Sequence, residues 1–184
     1  MSNRPKRPIV TVFGSSQIPD EANLYEEART LGQAVAQRGY AVCSGGYGGL
    51  MEAVSRGAKE AGGHTIGVTV KTFVWGRANP WIDEVIEAPD FITRLRTMTE
   101  MGRAYIILPG GIGTLAELGL TWSLLQIGEV HGRPCIVVGE VWAEALAFFR
   151  RRLIIREQDF ALLRWVASAP EAVSLLPPPN EVRL

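Results

Sequence analysis

The stretch that decides the fold of this chain is Leu108-Pro109-Gly110-Gly111-Ile112-Gly113-Thr114-Leu115-Ala116-Glu117. Residues 104–108 form an apolar run with the length of a buried strand, and residues 118–127 are long enough for a helix that Gly128 can end. A glycine-rich turn between strand and helix lets the backbone approach a ligand closely. The helix start that follows offers unpaired N–H groups and a positive dipole end, which suits a phosphate.

Spacing alone leaves two interpretations of this turn open. In the first, the glycines cradle a phosphate, and Glu117, on the first turn of the helix, points back toward the ligand. In the second, Thr114 and Glu117 form a capping box, and the glycines serve only a tight turn.

Strand-like and helix-like segments alternate along the rest of the chain. Strands are predicted near residues 9–13, 40–43, 65–70, 84–87, 104–108, 134–138 and 165–167, and helices near 21–38, 50–61, 90–101, 118–127, 142–153 and from 170. This alternation predicts right-handed βαβ units, and strands that are apolar throughout predict helices on both faces of the sheet. We therefore expect an α/β fold with a doubly wound, Rossmann-like, mainly parallel sheet. It forms one domain over residues 8–184, after a flexible tail of residues 1–7.

Small-residue turns follow three of the predicted strands, at Gly14, Gly45 and Gly110. In open parallel sheets, ligands bind beyond the carboxyl ends of the strands. Because all three turns lie at such ends, their convergence favours a ligand site over simple turn-making.

Composition excludes several classes of function. The formal net charge is zero, so nothing in the overall charge favours nucleic acid or a membrane as partner. Cys43 and Cys135 lie in apolar runs, which indicates buried free thiols, and with no apparent signal peptide we expect a cytoplasmic protein. His64 and His131 are isolated in the sequence, which disfavours a metal site of the His/Cys type.

The glycine turns also exclude familiar nucleotide chemistries. The chain has no G-x-x-x-x-G-K-[ST] motif, which argues against a P-loop NTPase. Met51 occupies the position where the dinucleotide-binding motif needs its third glycine, which argues against a dinucleotide-dependent oxidoreductase. A pyridoxal enzyme needs a lysine that forms a Schiff base. Lys6 and Lys59 lie away from the glycine turns and Lys71 is the only lysine at a predicted strand end, which argues against an amino-acid decarboxylase.

The segment Pro109–Glu117 resembles the PGGxGTxxE signature of the LOG ("Lonely Guy") family. Residues 12–16 are similar to that family's first turn, residues 45–51 to its second turn, and residues 63–68 to its third strand. Arg94 and Met98 fall where the family has RKxxM, and the likeness runs from about residue 9 to residue 169. The resemblance implies a cytokinin riboside 5′-monophosphate phosphoribohydrolase, a class historically mislabelled lysine decarboxylases.

Two departures from the family pattern concern the choice of base. Leu95 replaces the family's lysine after the arginine, and residues 71–81 do not resemble the usual segment, which carries a substrate-contacting glutamate. The same fold group includes a molybdenum-cofactor carrier. The alternative function is therefore a nucleotide or molybdenum-cofactor carrier protein without turnover.

Chemistry assigns roles to the matched residues. Cleaving an N-glycosidic bond develops positive charge at ribose C1′, and the Glu117 carboxylate can stabilise that charge and orient water. Arg94 is the second catalytic candidate, since the resemblance implies an arginine that holds substrate and stabilises the departing base. This chemistry requires no cofactor.

The binding residues are predicted around these two. The 5′-phosphate is assigned to the turn that contains Gly110, Gly111, Gly113 and Thr114. Three residues of the other two turns, Ser15, Gly46 and Gly48, are expected to line the same pocket. Met98, one turn after Arg94, packs either on the base or in the core. Thr121 and Glu117, spaced i,i+4, form a polar strip that faces the pocket.

The helix from Leu115 to Ile127 is apolar around nearly its whole circumference. Such a helix must be buried all round. One side faces the sheet, and a second copy of the same helix can cover the other, which predicts a homodimer or a dimer of dimers. The resemblance agrees, since the family forms dimers with sites near the interface. Alternatively, a later helix near residues 142–153 covers that side within one chain.

Overall fold

The computed structural model describes residues 7–71 and 77–181, so residues 1–6 of the predicted tail, residues 72–76 of the 71–81 segment and residues 182–184 lie outside the described residues. The strands are β1 (Ile9–Phe13), β2 (Ala41–Ser44), β3 (Thr65–Val70), β4 (Glu84–Ala88), β5 (Ala104–Ile107), β6 (Cys135–Val138) and β7 (Leu163–Val166). The helices are α1 (Asn23–Gln37), α2 (Leu50–Glu60), α3 (Phe91–Met101), α4 (Ile112–Gln126), α5 (Glu140–Arg152), α6 (Glu157–Phe160) and α7 (Ala169–Ser174), followed by a 3-10 turn at Pro179–Glu181.

The seven strands form one parallel sheet in the order β4-β3-β2-β1-β5-β6-β7. The predicted doubly wound α/β fold is thereby confirmed. The chain moves outward from β1 to β4 on one side, then returns to place β5 on the other side of β1. The point where the winding direction reverses lies between β1 and β5, and ligands bind at such switch points in open sheets.

Helices cover both faces of the sheet, as the uniformly apolar strands predicted. One apolar layer packs α1, α2 and α7 against the sheet, with Tyr25, Leu31 and Leu50 fully buried. The other layer packs α3, α4 and α5, with Met98 and Leu118 in its centre. No helix in the described part of the chain is long and apolar enough to cross a membrane.

Helix α4 begins at Ile112, earlier than the predicted start between residues 115 and 118. Gly111 is its N-cap, with extended backbone angles (φ −94°, ψ −153°) and no side-chain cap. The capping-box interpretation of Thr114 and Glu117 is therefore wrong, and Glu117 lies on the second turn of the helix instead of the first. The reason is local: Gly113 is tolerated in a first helical turn, although it reads in sequence as part of a loop.

The cover over the outer side of α4 also differs from the expectation. Trp122 packs edge-on against Phe160 of α6, with ring centroids 5.2 Å apart, and its indole Nε1 donates to the carbonyl of Asp159 at 2.7 Å. The short helix α6 thus covers one strip of α4. Ile112, the first residue of α4, and Ile127, its C-cap, are 83% and 63% exposed.

Candidate functional site

The three small-residue turns meet at the carboxyl edge of the sheet, as predicted. The turn after β1 lies in the middle, because the Ser15 N–H donates to the Pro109 carbonyl at 3.2 Å and the Ser15 carbonyl accepts from Leu50 N–H at 2.8 Å. A single loop therefore connects the turn before α2 to the turn before α4. The helix starts of α2 and α4 lie on either side of it.

A buried ion pair lies beside these turns. Arg94 on α3 donates from Nη1 to Oε1 of Glu117 on α4, at 3.2 Å, and the two residues are 4% and 6% exposed. Arg94 also donates from Nε to the Val68 carbonyl at 2.7 Å, so the end of β3 fixes the direction of the guanidinium. The structure thus brings together the two residues predicted to be catalytic.

Sequence reasoning missed two neighbours that position Arg94. Gly45 leaves room for the guanidinium, because a Cβ at this position would lie 1.9 Å from Arg94 Nη2. Tyr47 places its ring against the other side, with the Arg94 Cζ 5.9 Å from the ring centroid. Both residues lie in the second small-residue turn, residues 45–51, where a glycine suggested close approach of a ligand rather than space for an arginine.

Burial raises the pKa of Glu117 to about 7, and the charge and hydrogen bond of Arg94 partly oppose that rise. A carboxyl group with such a pKa exists in both protonation states near neutral pH. It can therefore accept or deliver a proton under physiological conditions. The thiol of Cys43 stays protonated over this range, because burial raises its pKa to about 12.

The predicted phosphate turn has two kinds of surface. Gly111 and Gly113 are exposed, and a Cβ at either would meet no atom within 4 Å. Gly110 is different, because a Cβ there would lie 2.1 Å from the Oγ1 of the buried Thr114. The turn thus presents exposed backbone at the start of α4, a helix of 15 residues whose first N–H groups have no intrahelical acceptor.

The remaining predicted binding residues divide into two groups. Ser15 and Gly48 are partly exposed at this edge of the sheet. Gly46 is buried, and its N–H donates to the Ser44 hydroxyl at 3.2 Å.

Met98 and Thr121 are both 0% exposed, so neither offers a surface to a ligand. For these two, the expected ligand contacts have no support, because their faces of α3 and α4 are turned into the core. The Thr121 hydroxyl has no hydrogen-bond partner among the described residues.

A separate cavity of about 870 Å³ lies at the opposite, amino edge of the sheet, where Lys59, His64 and Arg103 line it. None of the predicted site residues lines this cavity. In the ranges 7–71 and 77–181, no group of three or more His, Cys, Asp or Glu side chains is arranged to hold a metal ion.

Known proteins are similar to this chain in sequence and in fold. Residues 51–176 match the family model described as "Possible lysine decarboxylase". The chain belongs to the LOG family. A protein of Mycobacterium tuberculosis named cytokinin riboside 5′-monophosphate phosphoribohydrolase is 38% identical to this LOG-family chain over 122 residues, which make up 65% of each chain. The matched region thus spans just under two thirds of that relative's length.

A second sequence relative and a solved structure are also similar to this LOG-family chain. A Mycobacterium marinum protein of the same name is 35% identical over 139 residues, 74% of this chain and 73% of its own length. Among solved structures, the molybdenum cofactor carrier protein of Chlamydomonas reinhardtii superposes with a TM-score of 0.70 at 25% identity, covering 91% of this chain and 94% of that one.

Proposed function

We propose that this protein hydrolyses the N-glycosidic bond of a purine nucleoside 5′-monophosphate, of the cytokinin riboside monophosphate or AMP type, to free base and ribose 5-phosphate. The observation that carries the proposal is the buried pair of Arg94 and Glu117, 3.2 Å apart beside three converging turns. The names of the mycobacterial relatives support the same reaction class.

The chemistry follows from where charge develops. As the C1′–N bond breaks, its electron pair leaves with the base and C1′ becomes cationic. Glu117 stabilises that cation as a carboxylate and orients the water that adds to C1′, accepting its proton. Arg94 keeps the carboxylate in place and supplies positive charge on the side of the departing base. The base leaves with that electron pair and takes up a proton from solvent, and Glu117 returns the proton of the water to solvent, so one water is consumed for each bond broken.

The 5′-phosphate is assigned to the turn from Gly110 to Thr114. Its exposed glycine backbone and the start of α4 offer N–H donors and a positive dipole end to an anion. Glu117 lies on the same helix, so one element holds the phosphate and reaches the sugar.

We also propose that the protein is a cytoplasmic homodimer, which can pair further into a dimer of dimers. The exposed apolar side chains Ile112, at the start of α4, and Ile127, its C-cap, lie at the two ends of this helix, and the space around Gly119 between them is open. A second copy of this helix is the simplest cover for that face, and it would place two sites beside the boundary. Both cysteines are free and buried, which fits a reducing compartment.

Sedimentation at micromolar concentration tests this assembly. We expect a species of twice 20.1 kDa, which Gly119→Arg converts to monomer because the long charged side chain fills the open strip. Trp122 is unsuitable for this purpose, since it packs within its own chain. A wild-type protein that sediments only as monomer contradicts the assignment.

Incubation with a panel of nucleoside 5′-monophosphates tests the reaction itself. A hydrolase releases free base and ribose 5-phosphate over many turnovers, and nucleosides without the phosphate are poor ligands. A carrier without turnover binds its ligand tightly and returns it intact. Recovery of every nucleotide unchanged after long incubation would favour the carrier.

A further inference from the structure

After β3, the chain contacts the turn before α2 through the buried side-chain amide of Asn79. Asn79 is 9% exposed, and its Nδ2 donates to the carbonyls of Gly46 and Tyr47 at 3.1 and 2.9 Å. Its backbone N–H also donates to the Gly46 carbonyl at 2.8 Å, and its Oδ1 accepts from Trp81 N–H at 3.1 Å. Asn79 therefore holds two consecutive carbonyls of the turn before α2 with three donated hydrogen bonds.

Tyr47 connects this clamp to the ion pair. The Tyr47 hydroxyl accepts from Val70 N–H at 2.9 Å, and its ring faces the Arg94 guanidinium. Val68, two residues earlier on β3, supplies the carbonyl that accepts from Arg94 Nε. The end of β3 thus binds both Tyr47 and Arg94, whose ring and guanidinium face each other. Asn79 fixes the backbone of Tyr47 through its carbonyl.

We propose that Asn79 is a positioning residue for Arg94: by clamping the turn at Gly46 and Tyr47, it holds the Tyr47 ring against the guanidinium and the guanidinium on Glu117. Asn79 does not touch the reacting atoms. Its importance for turnover rests on the proposed function of the Arg94–Glu117 pair, whereas its effect on the geometry of that pair does not.

Displacement of Arg94 changes the pKa of Glu117, an effect that an ordinary loss of stability does not produce. The charge and hydrogen bond of Arg94 lower the pKa of Glu117 against the effect of burial. The Cys43 thiol also interacts with the charge of Glu117, and it is neutral near pH 7 because burial raises its pKa to about 12. A guanidinium that drifts away from Glu117 must therefore raise the pKa of Glu117 further.

The test is a carbon-13 NMR titration of the Glu117 carboxyl in the ligand-free protein, comparing wild type with Asn79→Leu and Asn79→Ser. Leucine keeps the branched shape and removes the side-chain hydrogen bonds, whereas the backbone N–H of residue 79 still donates to Gly46; serine leaves room for water on the freed carbonyls. We expect the midpoint of the Glu117 titration to rise by about one pH unit or more in both variants. A cation at this distance lowers the pKa of a carboxyl group by about one to three units, and its displacement removes that effect.

Thr65→Val is the matched control. The Thr65 hydroxyl donates to the Trp81 carbonyl at 2.6 Å and so ties the same connection to the sheet, but it does not contact the glycine turn. We expect its Glu117 midpoint to match wild type. An unchanged midpoint in both folded Asn79 variants, or an equal rise in Thr65→Val, overturns the proposal.

Turnover gives a second, separable readout. If nucleotides are hydrolysed, the acid limb of kcat/KM moves to higher pH in the Asn79 variants, in step with the NMR midpoint. If no nucleotide is hydrolysed by wild type, the proposed function fails, and the titration still decides whether Asn79 positions Arg94.

Discussion

Burial of Glu117 predicts an unusual dependence of stability on pH, which one substitution should remove. Its pKa rises from the ordinary 4.5 to about 7 in the folded protein. Between these values the folded state holds a proton that the unfolded state has released, so the free energy of unfolding falls as pH rises. Since each pKa unit corresponds to about 1.36 kcal/mol, this group costs the protein roughly 2–3 kcal/mol between pH 5 and pH 8.

Glu117→Gln isolates that contribution, because the amide has no proton to release. Urea unfolding at pH 5 and pH 8 measures the difference for each protein, and only the pH dependence is compared, since the variant leaves Arg94 without its carboxylate. Other acids with displaced pKa values, such as Asp83 and Glu52, are present in both proteins and cancel. Wild type should lose roughly 2–3 kcal/mol more than the variant on going to pH 8. Equal pH dependence in the two proteins would show that Glu117 titrates as an ordinary exposed carboxyl, and the reasoning would fail.

Three further outcomes follow from the site. If the Glu117 carboxylate is the reactive form, kcat/KM for AMP should rise about tenfold per pH unit up to about pH 7 and then level off; a limb near pH 4.5 would contradict this. Gly111→Ala should weaken AMP binding by about tenfold in calorimetry, as expected for one lost charge-assisted hydrogen bond, yet leave Tm unchanged because its methyl group meets no protein atom within 4 Å. Gly45→Ala should lower kcat/KM by about a hundredfold, since the methyl group displaces the Arg94 guanidinium. Full activity in that variant would show that the position of Arg94 is not critical.

Features set by local sequence could be predicted. Strand-length apolar runs, the alternation with helices and the three small-residue turns define a doubly wound sheet, because each depends on neighbouring residues. The Asp90 cap of α3 is a further case, with its Oδ1 accepting from Thr93 N–H at 2.8 Å. The pairing of Arg94 and Glu117 followed from the family signature, and the structure brings these side chains together.

Features set by tertiary packing could not be predicted. The rotation of α3 and α4 about their axes decides that Met98 and Thr121 face the core, and helical spacing alone does not fix that rotation. Gly45 and Asn79 act across the sheet end on residues distant in sequence, so their roles become visible only when distances are known. The packing of Trp122 against α6 depends in the same way on the path of the chain after α5.

The central claim is that the buried Glu117 carboxylate drives cleavage of the N-glycosidic bond. The most direct test is the amount of ribose 5-phosphate released from AMP, or from the best nucleotide of the panel, per mole of wild type and of Glu117→Gln. We expect many turnovers for wild type and at least about a hundredfold less for the variant, with AMP binding retained through the Gly110–Thr114 turn. Equal release by the two proteins would contradict the account.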